Sequence, residues 1–359
     1  MSRFEFSGGV MRFSLLPVVG WSLLAGLLPV SGQAAGVTPA AKPKSGLSRL
    51  LEGELGRWPV KSSGVFVKHL GTGEQAGVRE NALFASASTI KLPVLVLAFE
   101  LAEQGKLDLT KRYVIQAKDL RGGSGIFQFQ DVGLKPTLRD VLTQMVITSD
   151  NTATDIMIAQ VGGAAKVNEF LQQRGYRALR LNGTTFDFFR ALLQAVDGKF
   201  SALTPEQVFG LFTERPAFRE PYKDLIAQFE EASKRNPKAL DGRSEDPEKW
   251  FGVASPREMA ELLEGIEKCT VARPASCDEM KRILRAQQVR QKIPHYLTVP
   301  VGNKTGETGS VTNDVAIIYS RSGPIVMTSY NMGLEGDRAE VEDGMGRLAR
   351  MVVEYFDGK

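Results

Sequence analysis

Along most of this chain, apolar residues fall either every three to four positions or every second one, and the two periods separate helices from strands. The stretch "SGLSRLLEGELGRW" (45–58) carries the helical spacing, and "GVFVKHL" (64–70) reads as a strand that runs into the turn "GTGE". The next run, "LPVLVLAFELAEQG" (92–105), is apolar almost all round, which predicts a helix buried on every side and stopped at Gly105. The short run "RYVI" (112–115) reads as a strand. "TLRDVLTQMVI" opens with Thr137 as N-cap and Asp140 three residues on, and "NTATDIMIAQVGG" and "AAKVNEFLQQRG" are helices with glycine stops. "SPREMAELLEGIEKC" has Ser255 at the cap, Pro256 at the first helical position and Glu258 at the third. Near the end, "DVAIIYS" and "PIVMTSY" are β-rich runs joined by "RSG", and "RAEVEDGMGRLARMVVEYF" is helical.

A strand near one end, a long helical middle, two strands and a last helix predict an α+β fold. Strands from both chain ends join one antiparallel sheet flanked by helices, with an all-helical lobe inserted between them. Residues 183–254 carry their own helix start, Thr204-Pro205, and the polar run "SKRNPKALDGRSEDPEK". They read as an enlarged loop or helical insertion within a domain spanning 47–359.

The first residues follow a different pattern. Arg12 precedes an apolar stretch from Phe13 to Val30, and Gly32-Gln33-Ala34 fits a small-x-small cleavage site. Residues 1–34 therefore read as a secretory signal peptide, with export to the periplasm or the medium, and 35–46 as a linker. Pro17, Gly20, Gly26 and Pro29 argue against a stable membrane anchor, and no cysteine follows to take a lipid. Export makes a Cys269–Cys277 disulfide the expected state of the two cysteines, which flank the loop "TVARPAS".

Charge and composition remove several function classes. With 45 basic against 41 acidic residues the net charge is only +4, and no basic block is interleaved with aromatics, so nucleic acid is not an expected partner. Two histidines and two cysteines are too few for a His/Cys zinc site and weaken any Ser-His-Asp reading. No metal or cofactor is expected, and the chain reads as a monomer.

Three short motifs carry the chemistry. Ser88-Thr89-Ile90-Lys91 heads the buried helix, Ser149-Asp150-Asn151 lies between two helices, and Lys304-Thr305-Gly306 precedes Glu307-Thr308-Gly309 and a strand. A serine hydroxyl is a poor nucleophile at neutral pH and needs a neighbouring base. Positions i and i+3 share a helix face, so Lys91 can reach Ser88. Burial beside a second cation, Lys304, lowers a lysine pKa and frees its amine to take a proton.

With these motifs in this order, the sequence resembles the class A serine β-lactamases and the wider penicillin-recognising serine hydrolases over nearly all of residues 47–357. "FASASTIKLPVLVLAFE", "TLRDVLTQMVITSDNTATDIMIAQVGGAAKVNEFL" and "NKTGETGSVTNDVAIIY" support the resemblance. It implies that Ser88 is acylated, that Lys91 takes its proton, and that Ser149 relays a proton to the leaving nitrogen. The N–H groups of Ser88 and Glu307 would form the oxyanion hole. Asn151 would hold a side-chain amide of the substrate, and Lys304, Thr305 and Gly306 its carboxylate end. Asp150 would be structural, and Gly123-Ser124-Gly125 would form the opposite rim. The ligand would be a β-lactam or a cell-wall peptide.

Two departures matter. The family's deacylating glutamate stands in a Glu-x-x-Leu-Asn pattern, which is missing between Ser149 and Lys304; placing Leu181-Asn182 on the family's Leu-Asp puts Thr184-Thr185 where the glutamate is expected. Asp187 and Glu248 are the candidate replacements. Glu307, where the family carries a small or neutral residue, either faces away from the cleft or pairs with a cation. The expectation is an exported hydrolase forming an acyl-enzyme on Ser88, with slow deacylation. A D-Ala-D-Ala carboxypeptidase or penicillin-binding protein on the same fold is the alternative, and a non-catalytic binder of β-lactam or cell-wall peptide the second.

Overall fold

The computed structural model describes residues 45–237, 239 and 246–359. The expected signal peptide and nearly all of the expected linker lie outside the described residues. In chain order the elements are α1 (Gly46–Leu55), β1 (Val60–His69), β2 (Gln75–Val78), β3 (Phe84–Ala85), α2 (Lys91–Glu103), α3 (Leu138–Ile147), α4 (Asn151–Gln160), α5 (Gly163–Gln173), β4 (Arg180–Leu181) and α6 (Thr185–Val196). They continue with α7 (Pro205–Phe212), α8 (Pro216–Arg219), α9 (Lys223–Arg235), β5 (Gly252–Ala254), α10 (Pro256–Glu267), α11 (Pro274–Arg285), β6 (Val301–Thr308), β7 (Val311–Ser320), β8 (Gly323–Leu334) and α12 (Arg338–Asp357).

The main sheet is antiparallel in the order β2-β1-β8-β7-β6, so strands from the two ends of the chain meet at the β1–β8 pairing. Period-2 alternation decides which core each side chain joins. In β7, Val315 and Ile317 face the helical lobe while Ala316 and Ile318 face α1 and α12; in β8, Val326 and Tyr330 take the first side, Ile325 and Met327 the second. The central strands are therefore apolar on both faces. The fold class is α+β, as the sequence pattern predicts.

Helix α2 has almost no polar side: every residue from Lys91 to Phe99 is buried. It forms the axis of the lobe, packed among α3, α4, α5 and α11. Thr137 and Asp140 make the expected reciprocal capping box of α3, and the Ser255 hydroxyl accepts the Glu258 N–H at the start of α10. Cys269 and Cys277 are joined by a disulfide bond between the end of α10 and the first turns of α11, with their Cα atoms 5.6 Å apart.

Two readings of the sequence need correction. "RYVI" is not a strand: Arg112 makes one isolated bridge to Thr137, and Tyr113 and Ile115 donate to Pro136 and Leu134 of an irregular segment. The C-terminal part of the sheet holds three strands rather than two, because "VGNKTGET" is itself β6. That strand shows no alternation, since its first six residues are all buried: one edge pairs with β7 and the other packs on the turn before α2. Of the two forms expected for residues 183–254, an enlarged loop or a helical insertion, the described residues take the helical one. Helices α6, α7 and α9 enclose a small core of their own, with Leu193, Phe200, Val208, Leu211, Ile226 and Phe229 at its centre.

Candidate active site

Ser88 lies in a 3₁₀ turn, Ala87–Ile90, that runs directly into α2 at Lys91. The turn is held from three sides. Ser86 N–H donates to Gly252 O at 2.9 Å, and Asn313 Nδ2 of β7 donates to Ala85 O at 2.8 Å. Thr89 Oγ1 donates to Ser86 O at 2.8 Å and lies 3.0 Å from the Tyr330 hydroxyl. Ala87, just before the serine, has φ +44°, a left-handed conformation that costs a non-glycine residue on the order of 1 kcal/mol and persists only where the surroundings enforce it.

The second motif is strained in the same way. Ser149 has φ +56° in the turn between α3 and α4. Asp150 holds that turn: its carboxylate accepts Ala153 N–H (2.8 Å) as the N-cap of α4 and Phe127 N–H (2.7 Å) from the opposite rim. Its burial raises the carboxyl pKa, against those hydrogen bonds and Lys91. On that rim, Ser124 Oγ donates to Ser149 O at 2.6 Å, and Gly125, at φ +102°, lies so close to Asp150 that a Cβ there would fall 2.3 Å from its Cα.

The structure brings Lys91, Ser149, Asn151 and Lys304 together. The Lys91 amine donates to Ser149 O (2.7 Å), Ser149 Oγ (3.3 Å) and Asn151 Oδ1 (3.0 Å), rather than to Ser88. Lys304 donates to the same Ser149 Oγ at 2.9 Å and to Thr305 O at 2.7 Å. Both amines are fully buried. Burial pulls the Lys91 pKa down to about 7, with Asp150 and Asp155 opposing, and burial with the charge of Lys91 pulls Lys304 well below the ordinary lysine value. Two cations on one hydroxyl repel, so one amine is readily neutral. Lys304 thus stands behind Ser149, while Thr305 and Gly306 line the cleft itself.

Gly306 is required by the approach of β6 to the serine turn. A Cβ there would lie 2.6 Å from Ser86 O, 2.9 Å from Ser88 N and 3.1 Å from Thr89 N, all backbone atoms that cannot swing away. Gly306→Ala should therefore destabilise the fold by about 1–3 kcal/mol, the usual range for overpacking. Denaturant unfolding measures this, and an unchanged midpoint would show that β6 is not held so closely.

Glu307 lines the cleft and its charge is paired. The cation is Lys292, which lies between α11 and β6, is fully buried, and places its amine 2.6 Å from Glu307 Oε1 and 3.5 Å from Glu342 Oε1. Burial works to raise the Glu307 pKa, yet Lys292 prevails and the group sits below its ordinary value. Sequence reading missed Lys292, since nothing in "QKIPHY" shows a buried lysine; the one available signal was the unmatched carboxylate after Lys304-Thr305-Gly306.

The structure does not bring Asp187 or Glu248 into the cleft. Asp187 caps α6, accepting from Thr184 N (3.0 Å) and Thr184 Oγ1 (2.7 Å), and Arg190 lies 3.4 Å away. Glu248 is mostly exposed and pairs with Arg180 at 2.6 Å. Thr185 occupies the cleft wall instead, its N–H and Oγ1 both donating to Asp155 Oδ1 at 2.6 Å, while Asp155 pairs with Arg121 at 2.7 Å. Asp155 was another residue that sequence reading passed over. The cleft, of about 400 Å³, is closed by Ser88, Ser124, Ser149, Asn151, Thr185 and β6, with Glu307 as its one carboxylate among the described residues.

The family described as "Beta-lactamase enzyme family" matches residues 56–356. Among curated relatives, β-lactamase PSE-4 of Pseudomonas aeruginosa is 35% identical over 119 residues, which is 33% of this chain and 41% of that protein, so the chain spans less than half the length of this relative. Among solved structures, the β-lactamase from Sphaerobacter thermophilus DSM 20745 aligns with TM-score 0.65 at 23% identity, covering 88% of this chain and 98% of that one. PBP-A aligns with TM-score 0.66 at 21% identity, covering 88% and 97%, and at these identities the two structures establish the fold alone. The family match over most of the chain, on a fold that brings the three motifs to one cleft, is decisive: the chain belongs to the β-lactamase enzyme family, among the penicillin-recognising serine proteins.

Proposed function

We propose that this protein is an exported serine hydrolase that forms an acyl-enzyme on Ser88 with β-lactams and releases the acyl group slowly. The observation that carries the reading is the pair of buried amines converging on Ser149 Oγ beside Ser88. A neutral Lys91 accepts the Ser88 proton as Oγ attacks the lactam carbonyl. The carbonyl oxygen takes up negative charge against the N–H groups of Ser88 and Glu307, a type of contact worth roughly 10²–10³ in rate. As the C–N bond breaks, the proton on Lys91 passes through Ser149 to the leaving nitrogen, leaving an ester on Ser88 and both amines as they began. Asn151 Nδ2 gives one hydrogen to Gly122 O (3.0 Å), which leaves its second for a substrate carbonyl. Export agrees with the Cys269–Cys277 bond, which an oxidising compartment maintains.

One observation favours a second reading. Among the described residues the cleft offers no carboxylate but Glu307, which Lys292 pairs, so the base that a β-lactamase uses on its ester is missing, and this suits a penicillin-binding protein acting on D-Ala-D-Ala ends. Incubation with a penicillin should add its mass to the peptide containing Ser88, and Ser88→Ala should remove the label. Label on Ser149 would refute the assignment of the nucleophile.

A further inference from the structure

We infer that the β-lactam that acylates Ser88 carries a bulky, apolar and uncharged side-chain acyl group, an arylacetyl group being the type; this rests on the reading above. Thr185, Phe188, Phe189 and Leu192 recur along α6 at the spacing of a single helix face, and all four line the cleft. The same helix turns Asp187 and Arg190 away, where they pair with each other. Phe188, Phe189 and Leu192 are only partly buried, so three large apolar side chains border open space within a cleft that already holds the serine.

The wall is braced from behind, so it does not collapse inward. Phe188 packs on Phe251, also a lining residue, with ring centroids 6.2 Å apart, and Phe189 packs on Phe212 at 5.1 Å. Phe212 in turn meets Phe229 of α9 at 6.0 Å, which ties the wall to the small core of α6, α7 and α9. Organised aromatic support of this kind leaves a preformed apolar surface, which a ligand covers at little ordering cost. Among the described residues Glu307 is the one ionisable side chain lining the cleft, on the β6 side, and a carboxylate on the β-lactam's side chain would find no cation among those lining residues to meet it.

The test uses the full chain and three penicillins: 6-aminopenicillanic acid, which lacks an acyl side chain, its phenylacetyl derivative, and the phenylmalonyl derivative that adds a carboxylate to the same ring. Second-order rates of Ser88 acylation are read by intact mass. The phenylacetyl compound should react about ten- to a hundredfold faster than the other two, the range that apolar pocket contacts supply. In Phe188→Ala and Leu192→Ala that ratio should fall towards unity. Equal rates for all three compounds, or a ratio unmoved by both substitutions, would overturn the inference while leaving acylation of Ser88 standing. No acylation by any of them would overturn the functional reading and this inference with it.

Discussion

Replacing Lys91 with alanine should lower the rate of Ser88 acylation by about 10²–10⁴, the range that a positioned general base contributes. Loss of the amine also removes three hydrogen bonds from the turn at Ser149 and Asn151, so the fold is checked alongside by thermal unfolding. Lys91→Arg should not rescue the reaction, because a guanidinium stays protonated at any pH used. The sign of the pH dependence follows from burial. The Lys91 pKa falls to about 7, so its charged form dominates below that pH and its neutral, proton-accepting form above it. Acylation should rise close to tenfold per pH unit below about 7 and level off above it. Normal acylation by the arginine variant, or a flat profile through pH 7, would assign the proton to another group.

The helices and the central strands of this fold were legible because local signals and tertiary demand agree. In α2 the absence of a polar face matches burial on all sides, and in β7 and β8 long β-branched runs match two covered faces. Strand β6 was hidden for the opposite reason. Its Gly, Asn, Lys and Glu residues have weak strand propensity, and it is held by pairing with β7 and by packing on the serine turn, both contacts distant in sequence. The core of α6, α7 and α9 was obscured by the polar run that follows α9.

The site was legible to the same depth. Motif spacing named Ser88, Lys91, Ser149 and Lys304; Ser88 and Ser149 line one cleft and the two buried amines meet at Ser149 Oγ, but spacing could not give which charge meets which. Lys91 faces Ser149 and Asn151 because the turn at Ser149, with φ +56°, carries its carbonyl and hydroxyl towards α2. Lys292 meets Glu307 only because the loop between α11 and β6 passes behind the strand. Asp155 meets Thr185 only because α6 docks on α4. Each pairing joins residues from separate elements, and no local pattern encodes it.

The full chain mixed with a chromogenic cephalosporin should give a burst close to one equivalent per Ser88, then turnover at least about 10² slower. Acylation draws on Lys91 and Ser149, both in place, whereas hydrolysis of the ester needs a base to activate water, a contribution of roughly 10²–10⁴ or about 3–5 kcal/mol of barrier. Glu307 is the one carboxylate in the cleft among the described residues, and its pairing with Lys292 and lowered pKa make it a weak base. Thr185 has no basicity and spends its hydroxyl proton on Asp155. Asp187 and Glu248 are held by Thr184 and Arg180, so Asp187→Ala and Glu248→Ala should leave the slow phase unchanged. Intact mass taken during that phase should show the adduct on most of the protein. A stalled slow phase in either alanine variant would return that carboxylate to the cleft, and rapid turnover without a burst would mean that this enzyme activates its water with a group other than those considered.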